Sequence, residues 1–519
     1  MEKRRFDNND DSVVVVIGSG AGGGTLANEL AQSGVDVVCL EAGEHLDLAD
    51  INNDEAQMFQ RVTWLDRRAG SGDNHPAFPA WTCKTVGGTT LVWTGVCLRF
   101  QEHEMKPLSS YGQVSEAAFI DWPLKLADLE PYYDKAERKL GVTGTNGLPQ
   151  LPANNNCKVM MAGARQLGYR DISTGPMAIN SVEYDGRPSC LQIGFCTSGC
   201  VIGAKWSTLY SEVNAAGKTG HFELRPQSMA VRITHGRDAR VTGVEYLDKD
   251  GVLKTQKAKV VCVAANAIET TRLLLNSSSE SYPSGIGNGY DQVGRHYMRQ
   301  FTNMVMSIMP GNVDFHRGAM VAGLIRDETR HDPTRGFVGG YVILPVPLSP
   351  ENLALNTFPG LWGKGLASVM SQYRKFAGLL MIGEDPPDPD NRITLHRSDK
   401  DHLGLPVPVV HYKEHPNTKA MRQHAFKAGR AIHAAAGALQ SFELPNIPAG
   451  HNLGACRMSR SPKTGVCNHW GRVFDIANLY VSDGSLFSSA AAETPTLTIV
   501  ALAIRQAEKI AGDIKSGKL

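Results

Sequence analysis

The residues best suited to chemistry near the start of this 519-residue chain form a glycine-rich turn. Gly18, Gly20 and Gly23 follow the apolar run 13–17 with the spacing G-x-G-x-x-G, and Glu41 comes about 20 residues later. Gly18 permits a tight turn, Gly20 lets backbone amides approach a pyrophosphate, and Gly23 lets the next helix pack closely. The start of that helix offers free N–H groups to phosphates, and Glu41 can accept from a ribose hydroxyl. The predicted dinucleotide-binding residues of this turn are Gly18, Gly20, Ala21, Gly22, Gly23 and Glu41.

A second group with chemical potential is a cysteine trio in the loop 187–205. Cys190, Cys196 and Cys200 have the spacing C-x5-C-x3-C. Three thiolates so close together suit an iron–sulfur cluster. Zinc would need a fourth ligand, which is not nearby in the sequence, and a disulfide would leave one thiol over. The spacing by itself therefore leaves the role of the trio open.

The composition narrows the class of protein. The apolar share of 42% and the charged share of 20% are typical of a globular protein. Lys and Arg total 53 against 52 for Asp and Glu, so charge gives no reason to expect a nucleic acid or an anionic membrane as partner. We expect no secretory signal and no transmembrane segment, because no apolar run of the needed length occurs. Isolated cysteines such as Cys39 favour a cytoplasmic location, with export to the periplasm on a signal-bearing partner as the alternative.

The helices and strands that must position these residues predict an α/β (α+β) fold. Strand, glycine turn, helix and strand at the N-terminus predict a Rossmann-like domain. A helix is expected over 126–140, beginning close to Pro131 because proline is tolerated in a first turn. Apolar runs at 222–226, 229–234, 241–247 and 256–263 predict an antiparallel meander that returns to a buried strand.

Three domain segments follow from this pattern. We predict a dinucleotide-binding domain over 1–296, with the linker 141–156 and the cysteine loop as insertions. A sheet-based substrate domain is expected over 297–445. The segment 446–519 would then complete the nucleotide-binding domain.

Several blocks in this order resemble the glucose-methanol-choline (GMC) family of flavin-dependent oxidoreductases. Within the family, the chain is most similar to bacterial FAD-dependent dehydrogenase flavoprotein subunits that act on sugars and sugar acids. The blocks that carry the resemblance are the opening fingerprint, the loop from Gly87 to Thr90, 265–268, 273–277, the His451 block and Asp483-Gly484.

The resemblance implies FAD as cofactor. In some family members a histidine just before the loop tryptophan bonds the flavin covalently; here that place holds Val92, so noncovalent FAD is expected. An NAD site is disfavoured because a nicotinamide enzyme has no use for the Asp483 block. The further cofactor-binding residues that the resemblance implies are Gly87, Gly88, Thr89, Trp93, Thr94, Ala265, Asp483, Gly484, Pro495 and Thr496.

The resemblance also implies the catalytic residues. His451 would take the hydroxyl proton while the hydride goes to flavin N5, a task suited to a side chain whose ordinary pKa is about 6.5. Thr494 stands where the family usually has Asn or His, and would help orient the substrate oxygen. The related sugar dehydrogenase subunits use the cysteine spacing for a [3Fe-4S] cluster. Other family members carry a similar loop without a reported cluster, and their proline after the third cysteine is Val201 here.

The predicted function is oxidation of a sugar or another primary or secondary alcohol, with electrons passed to an acceptor other than oxygen. A small partner subunit or a cytochrome is the expected partner. One alternative is a dehydrogenase or oxidase of aromatic (lignin-type) alcohols. The other is a weakly catalytic or non-catalytic flavoprotein subunit of a hetero-oligomer, an alternative that Thr494 motivates. An aromatic or lignin-type primary alcohol would become as plausible as a sugar if several of the following side chains lined the pocket: Phe315, Phe337, Tyr341, Phe358, Trp362, Tyr373 and Phe376.

Overall fold

The structure is a computed structural model that describes residues 5–444 and 450–519. The predicted boundary between 445 and 446 lies outside the described residues. The strands are β1 (Val14–Ile17), β2 (Val37–Leu40), β3 (Ala69–Gly72), β4 (Ile172–Ser173), β5 (Phe222–Arg225), β6 (Met229–His235), β7 (Val241–Leu247), β8 (Leu253–Lys257), β9 (Val260–Val263), β10 (Met298–Arg299), β11 (Phe301–Ile308), β12 (Leu324–Ile325), β13 (Tyr341–Pro345), β14 (Phe376–Gly383), β15 (Arg392–Lys400), β16 (Pro406–Tyr412), β17 (Gln440–Leu444), β18 (Asn452–Leu453) and β19 (Leu479–Val481). The helices are α1 (Ala21–Gln32), α2 (Glu55–Val62), α3 (Pro107–Tyr111), α4 (Leu126–Leu140), α5 (Asn155–Gln166), α6 (Glu212–Lys218), α7 (Asn266–Asn276), α8 (Pro350–Thr357), α9 (Gly363–Met370), α10 (Pro416–Ala435) and α11 (Thr496–Lys515).

A five-stranded parallel sheet forms the nucleotide-binding layer. Its strand order is β19-β9-β1-β2-β5, with β1 between β2 and β9. Every residue of β1, β2 and β9 is buried, because parallel strands are covered on both faces. Val14 and Val16 pack toward α1 and the C-terminal half of α11, whereas Val15 and Ile17 pack toward the meander β6–β8. The predicted Rossmann-like fold is confirmed.

Two details of the predicted meander are wrong. β5 does not join it: Phe222 to Arg225 pair in parallel with Val37 to Leu40 at the edge of the nucleotide sheet. The expected strand 256–263 is two strands, since β8 pairs with β7 while β9 pairs with β1. A short apolar run looks the same in a parallel edge and in an antiparallel hairpin, so the sequence pattern did not separate them.

A six-stranded antiparallel sheet forms the second layer, in the order β17-β11-β14-β13-β12-β4. Alternate side chains face opposite sides. Val305, Leu379 and Met381 pack against α10 and α5. Thr302, Leu344, Leu380 and Ile382 face the other way, toward the cavity described below. Strand β4 comes from before residue 296, so this sheet draws on sequence from both predicted domains; the domain boundaries themselves stay a prediction.

Helix α4 begins earlier than expected. It starts at Leu126, not near Pro131, and carries Pro131 in its second turn. Proline there lacks the N–H that would bond to the carbonyl of Ala127. The helix is held instead by packing, because Leu129, Tyr133, Ala136 and Leu140 are fully buried.

Two contacts of short elements complete the frame. The two-stranded pair β10–β18 aligns Met298 with Leu453 and Arg299 with Asn452. Continued by one residue, this antiparallel register sets Gln300 opposite His451. Among the described residues, we find no helix with the length and apolar character that a membrane crossing requires.

Candidate active site

One cavity runs from the glycine turn to His451, between the parallel sheet and the antiparallel sheet. It brings together most of the predicted site residues, although they come from opposite ends of the chain. Of the predicted residues, the following line it: Gly18, Gly20, Ala21, Gly22, Glu41, Gly88, Thr89, Trp93, Thr94, Ala265, His451, Asp483, Gly484, Thr494, Pro495 and Thr496. Gly23, Gly87 and the three cysteines do not line it.

The glycine turn leaves room on its cavity side. A Cβ on Gly18 would lie 2.4 Å from the Ala264 carbonyl oxygen, and Gly18 has a φ of +96°. A Cβ on Gly23 would lie 2.0 Å from the Gly18 carbonyl oxygen. Gly20 differs, since the nearest atom to its Cβ would be Gly88 Cα at 3.9 Å. Packing within the protein explains the first two glycines, whereas the space at Gly20 is left for a ligand.

The start of α1 fits an anionic group. Gly20 is its N-cap, and no side chain of the described residues caps it. The first turn also has no acidic side chain. The unpaired N–H groups and the positive end of the helix dipole therefore face the cavity, as pyrophosphate binding needs.

Glu41 is a buried carboxylate at the end of β2. It accepts hydrogen bonds from the backbone N–H and the hydroxyl of Ser19, at 3.0 and 2.7 Å, and from the N–H of Gly43 at 2.9 Å. Burial raises the pKa of Glu41, and these bonds oppose that rise. A carboxylate has about four acceptor positions, so Glu41 retains capacity for a ribose hydroxyl. Together with Gly20, this donor and acceptor set fits a dinucleotide such as FAD.

A second loop closes over the cavity and is anchored by a residue that the sequence reading did not single out. Gly87 has a φ of +90°, and its N–H donates to the Ser19 hydroxyl at 3.0 Å, joining the two glycine loops. The anchor is Lys205, which is fully buried. Its Nζ donates to the carbonyls of Leu91, Trp93 and Cys196, at 2.9, 2.5 and 2.6 Å. Burial lowers the pKa of Lys205 to about 8. The one sequence signal for it was its place in the Gly-Ala-Lys segment that follows the cysteine loop.

Asp483, in the turn after β19, is part of the cavity wall. Its carboxylate accepts from the Thr270 hydroxyl at 2.6 Å and from the N–H of Ser485 at 2.8 Å. Burial raises its pKa, and the same bonds oppose the rise. These bonds tie the Asp483-Gly484 turn to α7, so it is a fixed part of the wall.

His451 is oriented by Gln300. Its Nδ1 lies 2.6 Å from Gln300 Oε1. The Gln300 amide nitrogen donates to the backbone carbonyls of Ala491 and Glu493, the latter at 2.8 Å, so the amide oxygen is the atom that faces the histidine. An oxygen can only accept, and Nδ1 must therefore carry the proton. The Nε2 of neutral His451 is then left as a proton acceptor.

The pKa of His451 suits that role near neutral pH. Burial lowers it from 6.5 to about 4. The ring is therefore neutral at pH 7, with Nε2 able to take a proton. Gln300 was missed by sequence reading, because its role arises only when β10 and β18 pair across about 150 residues.

Thr494 lies in the same end of the cavity with its hydroxyl already used. Its Oγ1 donates to the Val96 carbonyl at 3.0 Å. The hydroxyl proton is thereby directed away from the cavity, and only the oxygen lone pairs remain to accept from a substrate. Thr494 can orient a substrate hydroxyl but cannot donate to it in this arrangement.

The cysteine trio lies outside the cavity. Cys196 is buried and Cys190 and Cys200 are partly exposed. Burial raises the pKa of Cys190 to about 11, with smaller rises from the charges of Cys196 and Cys200. In the described part of the chain, the one set of three His, Cys, Asp or Glu ligand atoms within 4.8 Å of one another is His103, Glu104 and Glu384. The thiols are thus neighbours that do not converge on a single-ion site, and the [3Fe-4S] cluster stays a prediction.

The aromatic side chains considered for the pocket are elsewhere. Phe315, Phe376 and Tyr341 are core residues, and Trp362 is 83% exposed. None of the seven lines the cavity in the described structure. The condition that would have made an aromatic alcohol as plausible as a sugar is not met.

Comparison with known proteins identifies the family. Two models described as GMC oxidoreductase match residues 7–297 and 387–503. The chain is 31% identical to paromamine 6'-oxidase of Streptomyces fradiae, covering 96% of this chain and 91% of the relative. It is 29% identical to 2-methyl-1,2-propanediol dehydrogenase of Mycolicibacterium austroafricanum, covering 95% and 94%. It is 28% identical to the fructose dehydrogenase large subunit of Gluconobacter japonicus, covering 96% and 98%.

A solved structure supports the fold. The crystal structure of pyridoxine 4-oxidase from Mesorbium loti superposes with a TM-score of 0.70 at 17% identity, covering 96% of this chain and 99% of the other. At that identity, the likeness bears on the fold alone. The chain belongs to the GMC oxidoreductase family, an FAD-binding family, and the resemblance predicted from its motifs is confirmed.

Proposed function

We propose that this member of the GMC oxidoreductase family is an FAD-dependent dehydrogenase that oxidises a CH–OH group, with His451 as the base. The observation that carries the proposal is the Gln300–His451 bond, which leaves a neutral Nε2 as acceptor at one end of the cavity. The glycine turn and Glu41 lie at the other end of the same cavity. A base and a dinucleotide cradle in one cavity are what alcohol oxidation by FAD requires.

The chain's residues divide the work as follows. Bound FAD, held by the start of α1, Glu41 and the Asp483-Gly484 turn, would accept the hydride and its two electrons from the alcohol carbon. His451 Nε2 takes the hydroxyl proton, so that the alcohol becomes a carbonyl compound. Thr494, whose own proton is committed to the Val96 carbonyl, offers an acceptor that holds the substrate hydroxyl on entry, before its single proton turns to His451 Nε2. The position before Trp93 is Val92, which supports noncovalent FAD.

The names of the relatives favour an alcohol donor and leave the acceptor open. They include dehydrogenases of 2-methyl-1,2-propanediol and of fructose, and an oxidase of paromamine. We propose an acceptor other than oxygen. The large-subunit relative supports a partner subunit, and Cys190, Cys196 and Cys200 would hold a [3Fe-4S] cluster on the route to it. A cytoplasmic location, or a periplasmic one shared with an exported partner, belongs to the same proposal.

The test is anaerobic reduction of the bound flavin by alcohols, for the wild-type chain and for His451→Asn. We expect the variant to keep its flavin and to lose at least 100-fold in reduction rate, within the range usual for a missing general base. His411→Asn is the matched control, because His411 is a partly buried histidine bonded to Ser71 at 2.9 Å and lies outside the cavity. Undiminished reduction in His451→Asn would overturn the base assignment. Stoichiometric peroxide in air would identify an oxidase instead.

A further inference from the structure

The end of the cavity next to His451 has a wall made by the antiparallel sheet. This substrate chamber consists of Val96, Thr302, Leu344, Leu380 and Ile382, together with His451 and Thr494. In the sheet register, Leu344 pairs with Leu380 and Thr302 pairs with Ile382. Paired side chains on one face of a sheet lie side by side, so the wall is a continuous surface, and most of it is aliphatic.

The wall is backed by packed core. The opposite faces of β11 and β14 contact α10 through Val305, Leu379 and Met381, all fully buried. A sheet packed on its far side cannot move its near face without opening that core. The shape and polarity of the wall are therefore fixed features of the site.

Charged groups are confined to the other end of the cavity. Of the described residues that line it, four are charged: Glu41, Glu269, Arg272 and Asp483. They lie directly after β2, on α7 and in the turn after β19, on the nucleotide side. Glu269 pairs with Arg68 at 2.7 Å, and Arg272 pairs with Asp401 at 2.6 Å. The charges of Glu269 and Arg272 are therefore already paired within the protein. The described part of the substrate chamber has no charged side chain.

The polar atoms near the chamber are few and mostly engaged. Thr494 donates to Val96, His451 Nδ1 bonds to Gln300, and the Asn452 side-chain oxygen accepts from the Tyr297 hydroxyl at 2.5 Å. The remaining neutral groups are the His451 Nε2 and threonine hydroxyls. A sugar carries a hydroxyl on nearly every carbon, and each one buried against Leu or Ile would lose its hydrogen bonds to water without replacement. Gluconate or an aminoglycoside would in addition bury a charge without a partner.

We infer that the substrate is a hydrocarbon alcohol: one hydroxyl on an aliphatic body, not a polyhydroxylated sugar, a sugar acid or a charged amino sugar. This rests on the proposed function and deepens it by naming the substrate class of the same site. The hydroxyl meets His451 and Thr494, and the hydrocarbon body lies on Leu344, Leu380 and Ile382. Between two alcohols that differ by one methylene in contact with the wall, we expect kcat/KM to differ by about tenfold or more.

The experiment is a panel of anaerobic flavin reductions with the full chain and FAD. The arms are straight-chain and branched primary alkanols, benzyl alcohol, fructose and gluconate. We expect kcat/KM to rise with chain length until the chamber is full, and fructose and gluconate to be at least 100-fold poorer. Leu380→Ala should move the preferred alkanol to a longer chain. Leu379→Ala is the control: it removes the same atoms from the opposite face and should lower stability without moving that preference.

The outcomes separate the two proposals. Fructose or gluconate reducing the flavin faster than every alkanol would overturn the hydrocarbon inference while leaving alcohol oxidation intact. A chain-length preference that moves equally in Leu380→Ala and Leu379→Ala would also overturn it, because the side chains of the wall would then not set the preference by contact with the substrate. If no alcohol or sugar of any class reduces the flavin, the proposed function fails and the inference falls with it.

Discussion

Replacing Gln300 by Met tests the orientation of the base without touching the base itself. Methionine has nearly the shape of glutamine but neither accepts strongly from His451 Nδ1 nor donates to the carbonyls of Ala491 and Glu493. The Nδ1–H then has no acceptor among the described residues, and the ring is free to move its proton to Nε2. In that tautomer, His451 cannot take a proton from the alcohol.

The size of the effect follows from the bond that is lost. A buried donor left without a partner costs about 1–3 kcal/mol. Since about 1.4 kcal/mol is a factor of ten, the base-competent tautomer should fall by roughly 5- to 140-fold relative to the other. We expect the rate of flavin reduction to fall by the same factor. The FAD affinity should change little, because Gln300 does not line the cavity.

The assay combines stopped-flow flavin reduction with nitrogen NMR of isotope-labelled histidine. The NMR signal should report a proton on Nδ1 of His451 in the wild type and a shift toward Nε2 in Gln300→Met. A merely structural role would lower stability without changing the tautomer. A variant that reduces its flavin within twofold of wild type, or that keeps the Nδ1 proton, would refute the reasoning.

Three further predictions concern pH, cofactor binding and stability. Because burial lowers the pKa of His451 to about 4, kcat/KM should be flat near neutrality and fall as the pH drops through about 4. The unfolded chain takes up a proton on this histidine below pH 6.5, so the free energy of unfolding should fall by up to about 3 kcal/mol between pH 6.5 and 4. Acid unfolding of the wild type against His451→Asn measures that loss. Glu41→Gln replaces one acceptor oxygen by an N–H donor that would face the donors of Ser19 and Gly43. Fluorescence titration should then show FAD binding at least tenfold more weakly, and unchanged affinity would contradict the ribose role. Lys205→Met leaves three buried carbonyls without their donor, so the Tm measured by calorimetry should fall. A Tm equal to that of the wild type would contradict the anchoring role.

What the sequence revealed of the site was the part encoded locally. Gly18, Gly20 and Glu41 lie within one strand–turn–helix–strand unit, so their spacing alone predicted their arrangement. His451 was found only through the family resemblance, because an isolated histidine carries no positional signal. Gln300 had no signal at all, since its partner is set by pairing between β10 and β18.

The misjudged elements have the same cause. Pro131 predicted a helix start, but buried neighbours on both sides extend α4 back to Leu126. The run 222–225 has the pattern of a hairpin strand, and tertiary pairing with β2 places it in the parallel sheet. Aromatic content predicted a possible pocket lining, whereas the register of β11, β13 and β14 puts Thr302, Leu344, Leu380 and Ile382 there.

The most direct measurement of the central claim is anaerobic titration of the FAD-loaded chain, without any partner, by a primary alcohol. The account predicts that the flavin absorbance bleaches with one equivalent of aldehyde formed per flavin, and that His451→Asn bleaches at least 100-fold more slowly. An FAD-loaded chain that no alcohol bleaches, or a His451→Asn variant that bleaches at the wild-type rate, would contradict it.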